Sequence, residues 1–369
     1  MSHADRIFNF SAGPAGLPTP VLKRAQEELL NYGVARGEGI GMSIMEISHR
    51  SKTFDRVLEH TEAQVRKLLQ VPDDYAVLFL QGGAQHQFLM VPLNLYQKGG
   101  APVDVIHTGH WVKKALKELK KIADYRIVAS SKEDHFCSIP KLDPSLFNAS
   151  APYVHLCSNN TIFGTRYASF PDTQGAPIVA DMSSEIFSRK IDVSQFGLIF
   201  AGAQKNIGPS GLCLVIMKKS LAERVDPSTP TILQYREHIQ AGSRYNTPNT
   251  FAIYLAGLVM DWIESEGGVE KLELRNEEKA TALYDAIDRS SFFYAPVISK
   301  QDRSRMNVVF RMHQTQLEPQ FIAEAEAAGL SGLKGHREAG GLRASIYNAM
   351  PIEGVERLID FMSRFEKAH

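Results

Sequence analysis

The 369-residue sequence predicts an α/β fold: a large domain with a mostly parallel sheet covered by helices, and a smaller α/β lobe at the C-terminal end. Three observations carry this. Short apolar runs alternate with helical stretches between residues 75 and 217. Several of those runs are continuously apolar, the pattern of strands buried on both faces. After about Thr250 the pattern shifts to long helices with few strands.

At the N-terminal end, Thr19-Pro20 opens a helix, with Val21, Leu22, Ala25 and Leu29 at helical spacing. The stretch Gly33–Gly41 reads as a loop, and Ser51–Gln70 as an amphipathic helix. Strands are predicted at Tyr75–Leu80, Val103–His107, Tyr125–Ala129, Tyr153–Cys157, Pro177–Ala180, Leu198–Ala201 and Leu212–Met217. Helices are predicted at Gln85–Tyr96, with Pro92 as a kink, and at Trp111–Ile122. Helices at Phe251–Glu264, Val269–Arg289, Pro319–Ala328 and Glu353–Phe365, with strands at Asn307–Phe310 and Ala344–Tyr347, complete the chain. The expected division is a large domain over 19–260 and a small one over 261–369, with segment 1–18 packed near the latter.

Composition narrows the function. The 41 basic residues balance 41 acidic ones, against a nucleic-acid binder, which neutralises phosphates with a basic surface. The three cysteines fit no CxxC redox or zinc pair. His107 and His110 have a metal-like spacing but no further ligand at a recognisable interval, so no metal is expected. No run of about 20 apolar residues spans a membrane, and residues 1–10 carry no apolar signal core, so a cytoplasmic protein is expected.

Chemistry concentrates where apolar runs end. PIVA runs into Asp181, and LIFAGA runs into Gln204-Lys205. In such a sheet ligands sit at the carboxyl ends of the strands, so two strands deliver a carboxylate and a lysine to one rim. That pair suits pyridoxal phosphate, whose aldehyde a lysine captures and whose ring nitrogen a carboxylate keeps protonated. The plainer alternative is a helix-capping Asp and a surface Lys. Gly82-Gly83-Ala84-Gln85, between a strand and a helix, offers backbone N–H groups to a phosphate but is also an ordinary tight turn. Trp111 comes after a strand and can stack on a planar ring or simply pack on the core. His49-Arg50, His336-Arg337 and Arg343 are cations suited to carboxylate or phosphate oxygens if the fold gathers them, and solvated surface charges if it does not.

With those residues in view, the sequence resembles the phosphoserine aminotransferase family, in the class V group of fold-type I pyridoxal-phosphate enzymes. The matching strings run through nearly the whole chain: FNFSAGPAGLP at Phe8–Pro18, MEISHR at Met45–Arg50, ADMSSEIFSR at Ala180–Arg189 and AGAQKNIGPSGL at Ala201–Leu212. YNTPNT at Tyr245–Thr250, SRMNV at Ser304–Val308, KGHR at Lys334–Arg337 and GGLRASIYNAMP at Gly340–Pro351 continue the series.

The resemblance implies amino transfer between glutamate and 3-phosphohydroxypyruvate, giving O-phosphoserine and 2-oxoglutarate in serine biosynthesis. It implies that Lys205 bonds the cofactor, Asp181 pairs with its ring nitrogen, Trp111 stacks on the ring, and Thr161 bonds near the phenolic oxygen or on the Asp181 side. Ala84, Gln85 and Gln204 would hold the cofactor phosphate, completed by Asn246 and Thr247 of the neighbouring subunit in a homodimer with shared sites. Arg343 would grip the substrate α-carboxylate. His49, Arg50, His336 and Arg337 would receive the far anionic group, and Ala12, where some members carry serine, would offer only its backbone N–H. Two further departures are Gln85, with His86 beside it, where some members have arginine, and a loop at Gly33–Gly39 that reads as longer than in bacterial members. An alanine–glyoxylate type of transamination, or a non-catalytic anion-binding role, are the rival readings.

Overall fold

The structure is a computed structural model, and it describes residues 6–369. Of the N-terminal segment expected beside the small lobe, residues 1–5 lie outside the described residues.

Seven strands form the central sheet: β1 (Tyr75–Gln81), β2 (Val103–His107), β3 (Tyr125–Ser130), β4 (Val154–Cys157), β5 (Ile178–Asp181), β6 (Phe196–Gly202) and β7 (Leu212–Lys218). Their order across the sheet is β1-β7-β6-β5-β4-β2-β3. Only β7 runs against its neighbours; the other paired strands are parallel. The carboxyl ends of β1, β2, β4, β5 and β6 therefore meet on one rim.

β4, β5 and β6 are buried along their whole lengths, as their continuous apolar runs require. β3 differs. It is an edge strand, and Tyr125, Arg126 and Ile127 are all exposed. Arg126 donates to both carboxylate oxygens of the buried Asp104 in β2, at 2.5 and 2.8 Å. A charge at that place also blunts the open edge.

Helices α1 (Thr19–Glu27), α2 (Lys52–Leu69), α3 (Ala84–Leu95), α4 (His110–Leu119) and α5 (Thr250–Ser265) cover the sheet. α2 starts where Ser51 accepts the Phe54 N–H and ends at Gln70 in the left-handed region. The loop expected over Gly33–Gly41 contains a short 3₁₀ turn at Val34–Arg36. Asn31 ties that loop down by accepting the Gly41 N–H at 2.7 Å.

The small lobe has an antiparallel sheet of β8 (Phe293–Tyr294), β9 (Asn307–Met312) and β10 (Leu342–Ser345). Helices α6 (Gly268–Arg289), α7 (Glu318–Ala327) and α8 (Ile352–Ala368) pack around a core rich in phenylalanine. Phe10 enters this core, and Phe8–Asn9 pairs with Leu330–Ser331. The division expected at 260/261 falls inside α5. The main core continues through Ile263, Val269 and Leu272, and residues from Ala280 onward belong to the small core, so the change occurs within α6.

The last strand lies two residues earlier than predicted, because Leu342 and Arg343 pair with Phe310 and Val309. Beyond it, the carbonyls of Ile346, Tyr347 and Met350 accept from the buried Lys279 ammonium at 3.1, 2.9 and 3.0 Å. Those carbonyls have therefore left the sheet for a side-chain partner.

Candidate active site

Asp181 is the last residue of β5, and Lys205 lies three residues beyond the end of β6. Their separation in sequence is bridged at the rim by Ser183. Its hydroxyl donates to Asp181 Oδ1 at 2.6 Å and accepts the Gly202 N–H at 3.0 Å, while its own N–H donates to the same carboxylate oxygen at 3.0 Å. Asp181 Oδ2 has no hydrogen bond among the described residues, leaving one carboxylate oxygen fixed and the other open. Burial pushes the Asp181 carboxyl up and the Lys205 ammonium down; each charge opposes the other's shift by attraction. The Ser183 bonds also favour the charged carboxylate.

Trp111 stands at the start of α4, after β2, with Lys205 Nζ 5.7 Å from its ring centre. Its indole N–H donates to Thr161 Oγ1 at 2.8 Å. The Thr161 carbonyl accepts from Arg343 Nη1 at 3.1 Å, and Arg343 Nε is buried without a partner. Arg343 comes from the small lobe, on β10, so this site lies between the two lobes. Lys205, Trp111, Thr161 and Arg343 thus form one continuous group with a planar aromatic face and a cation held, among the described residues, by a single hydrogen bond.

The phosphate candidates gather at the end of β1. Gly82 has φ +92°, and a Cβ there would lie 2.7 Å from His86 Cε1, so the turn requires glycine. The space beside the Gly83 Cα is open. The first-turn N–H groups of Ala84 and Gln85 have no helical acceptor, as at any helix start. His86, exposed, folds back to accept the Gly83 N–H at 3.2 Å, beside the exposed Gln85. Gln204 is half-buried, and its carbonyl accepts from Ala15. Asn246 Nδ2 donates to Gln81 Oε1 at 3.0 Å, and Gln81 donates to the Thr247 carbonyl, so in a single chain both residues rest against the end of β1.

His336 and Arg337 sit on the loop that precedes β10. A Cβ on Gly335 would lie 2.6 Å from the Gly341 carbonyl oxygen, which makes the KGHR sequence a tight hairpin that only glycine closes. The His336 ring is 5.2 Å from that of His110, which is in turn 5.2 Å from Trp111. Burial and the nearby His110, Arg343 and Arg337 hold His336 below the usual histidine range, opposed by Glu338. Arg337 is exposed and makes no ion pair among the described residues. Ala12 offers its carbonyl to the Tyr347 hydroxyl at 2.8 Å. His49 and Arg50 stand apart: among the described residues of one chain no hydrogen bond or ion pair joins them to this group. They sit where the chain enters α2, whose Asp55 pairs with Arg244 close to Asn246.

The family profile described as Aminotransferase class-V matches residues 7–358. The chain is a class-V aminotransferase. Within that family it belongs with the phosphoserine aminotransferases. That of Geobacillus kaustophilus is 52% identical over 362 residues, covering 98% of this chain and 99% of the relative. That of Laribacter hongkongensis is 51% identical, again covering 98% and 99%. Among solved structures, the phosphoserine aminotransferase of Bacillus circulans subsp. alkalophilus superposes with a TM-score of 0.94 at 44% identity, covering 99% of both chains. The pyridoxal-phosphate-bound enzyme of Trichomonas vaginalis superposes with a TM-score of 0.90 at 37% identity, covering 97% of this chain and all of that one.

The cofactor of this aminotransferase is pyridoxal phosphate, and its residues fit that group. A buried carboxylate with one open oxygen, a lysine amine beside an indole face and an open glycine-lined helix start supply the three kinds of contact it needs.

Four residues that contact these candidates carry no assignment in the sequence. Ser183 and Tyr347 lie inside the matching strings without a chemical role of their own. His110 was paired with His107 as a metal spacing, yet His107 packs on Phe136 at 5.0 Å while His110 faces His336. Glu338, next to the cationic pair, accepts from His110 at 2.8 Å. The His110 signal was its position directly after Gly109, at the same rim as Trp111.

Proposed function

We propose that this enzyme transfers the amino group between glutamate and 3-phosphohydroxypyruvate, giving O-phosphoserine and 2-oxoglutarate in serine biosynthesis. The observation that carries the reading is the pair of separate cation groups near Trp111, Arg343 through Thr161 and His336 through His110. Arg343, half-buried and with its Nε unpartnered, suits a carboxylate. The His336-Arg337 hairpin beyond it suits a second, outer anion. A substrate with an anion at each end matches two such clamps; a short acceptor with a single carboxylate would leave the outer one idle.

Bound pyridoxal phosphate supplies an aldehyde carbon for the lysine and a ring that accepts electron density from the substrate Cα. Lys205 would hold that carbon and, once displaced by substrate, use its amine to take the Cα proton and hand it back. Its burial favours the neutral amine that this step requires. Asp181 would hold the ring nitrogen, with Ser183 fixing its carboxylate. Trp111 would cover the ring, held in orientation by Thr161. Ala84, Gln85 and Gln204 would cradle the cofactor phosphate. Arg343 would orient the substrate by its α-carboxylate, and positioning of this kind is worth several kcal/mol of barrier, up to about 7–11 in well-aligned systems.

The same reading includes a homodimer with shared sites in the cytoplasm. Leu29, Leu30, Val34, Ile40, Met42 and Met45 are exposed apolar side chains just before His49-Arg50, and Tyr245 is exposed beside Asn246. Exposed apolar side chains near these positions in sequence support a second copy placing His49, Arg50, Asn246 and Thr247 at its partner's site. No described helix is long and apolar enough to cross a membrane.

The test is a panel of acceptors with glutamate as donor. The expected result is kcat/KM for the phosphorylated ketoacid at least about a hundredfold above that for pyruvate or glyoxylate, the scale of a site that pairs a charged group one acceptor lacks. Comparable values would move the assignment to an alanine–glyoxylate type of activity.

A further inference from the structure

The cationic hairpin is built almost entirely from its own backbone. Gly335 donates to the Gly341 carbonyl, and Ala339 and Gly340 donate to that of His336, at 2.8–3.0 Å. Those bonds shape the loop but do not join it to the large lobe. Glu338 does. Its carboxylate accepts from His110 Nδ1 at 2.8 Å and lies 3.5 Å from Lys113 Nζ, both on α4. Among the described residues no other ion pair or side-chain hydrogen bond ties residues 334–341 to the large lobe. His110 is nearly buried, with 9% of its side chain exposed, so the pair is shielded on one side. The Glu338 N–H also donates to His336 Nδ1 at 3.2 Å, so the residue that holds α4 orients the clamp histidine directly.

A carboxylate adjacent to Arg337 is electrostatically unfavourable for an anion clamp unless its charge is taken up elsewhere. Lys113 pairs with it at 3.5 Å, and the His110 ring hydrogen-bonds to it at 2.8 Å. We infer that the Glu338–His110–Lys113 contact is an interlobe latch that sets the specificity of the outer clamp: Glu338 is a positioning residue that seats His336 and Arg337 over the Trp111 side of the site for a phosphate-sized anion. This rests on the reading of His336-Arg337 as an anion clamp. It adds that the clamp's affinity is set by a residue of opposite charge that does not touch the substrate.

The experiment uses the holoenzyme and inorganic phosphate as probe. Phosphate binding is measured by calorimetry, and backbone hydrogen exchange is monitored over residues 335–341. For Glu338→Ala, phosphate Kd and the KM of the phosphorylated acceptor should each rise about tenfold, the scale of one charge-assisted hydrogen bond. The kcat should stay within about twofold, and exchange over 335–341 should accelerate. Glu338→Gln, which keeps an acceptor for His110 but not the charge, should fall between wild type and Glu338→Ala. His110→Ala should lose the same factor in phosphate binding, and the double variant no more than either single one. Unchanged or tighter phosphate binding in Glu338→Ala overturns the latch, since it would make Glu338 a bystander or a repeller. Arg337→Ala, run alongside, separates the two readings. Phosphate binding lost there but kept in Glu338→Ala overturns the latch alone; binding kept in both overturns the clamp and the latch with it.

Discussion

The inner and outer ends of this site are built in opposite ways. At the inner end, Asp181 and Lys205 come at and just beyond the ends of two fully buried strands, and Ser183 stitches those strands together at the point where the carboxylate emerges. At the outer end, His336 and Arg337 ride on an exposed glycine hairpin from the other lobe, tied across by the partly exposed Glu338 contacts to His110 and Lys113. The inner groups are held by bonds within the large lobe. The outer ones depend on how the small lobe sits. On the proposed reading, bond-making chemistry that tolerates little displacement sits on the sheet, and recognition of an anionic tail on a loop.

The largest effect that would sharpen this contrast is Lys205→Ala. Turnover should fall by at least about 10⁴-fold, in line with loss of a proton-transferring amine, and the visible absorbance of the bound cofactor should disappear on dialysis. A retained yellow protein whose cofactor is reducible onto another lysine would reassign the inner end.

Next in size is Arg337→Ala at the outer end. Loss of a charge-assisted contact should lower kcat/KM for the phosphorylated ketoacid about 10- to 100-fold, with pyruvate transamination unchanged. Equal losses for both acceptors would dissolve the distinction between the two ends.

The outer end also depends on a buried prop. Lys279→Met would leave three carbonyls of the segment after Arg343 without their donor, and should cost about 2–4 kcal/mol of stability by thermal melting. Burial pushes the Lys279 ammonium down to about 7, against an unfolded value near ~10.4. Between those values the unfolded chain binds this proton and the folded one does not, so Lys279 makes stability rise with pH from about 7 to 10. The variant should lose that slope; an unaltered slope would show that Lys279 stays charged on its three carbonyls.

The smallest effect concerns His336. Held below the ordinary histidine range, it is mostly neutral at pH 7, so Arg337 carries the clamp's charge there. Inhibition by sulfate, an anion that does not itself titrate in this range, should strengthen a few-fold as pH falls below about 6.5. In His336→Asn that strengthening should vanish. A flat profile in the wild type would mean that His336 contributes shape and not charge.

The sequence alone determined the sheet and its reactive rim. Continuous apolar runs ending in Asp181 and before Lys205 are buried strands, and in a parallel sheet such strands carry the residues at their carboxyl ends to one side. The matching strings raised the same two residues to a cofactor site. Local pattern placed the helices to within a few residues, yet it set the last strand at Ala344–Tyr347, because Ile346 and Tyr347 are as apolar as strand residues; the Lys279 ammonium, which claims their carbonyls, lies 67 and 68 positions away in the chain. Tertiary structure alone decided that Arg343 meets Thr161, that His110 faces His336 and not His107, and that Glu338 spans the lobes. These contacts join residues 182, 226 and 228 positions apart, and periodicity, which reports only on neighbours within a few residues, has no access to them.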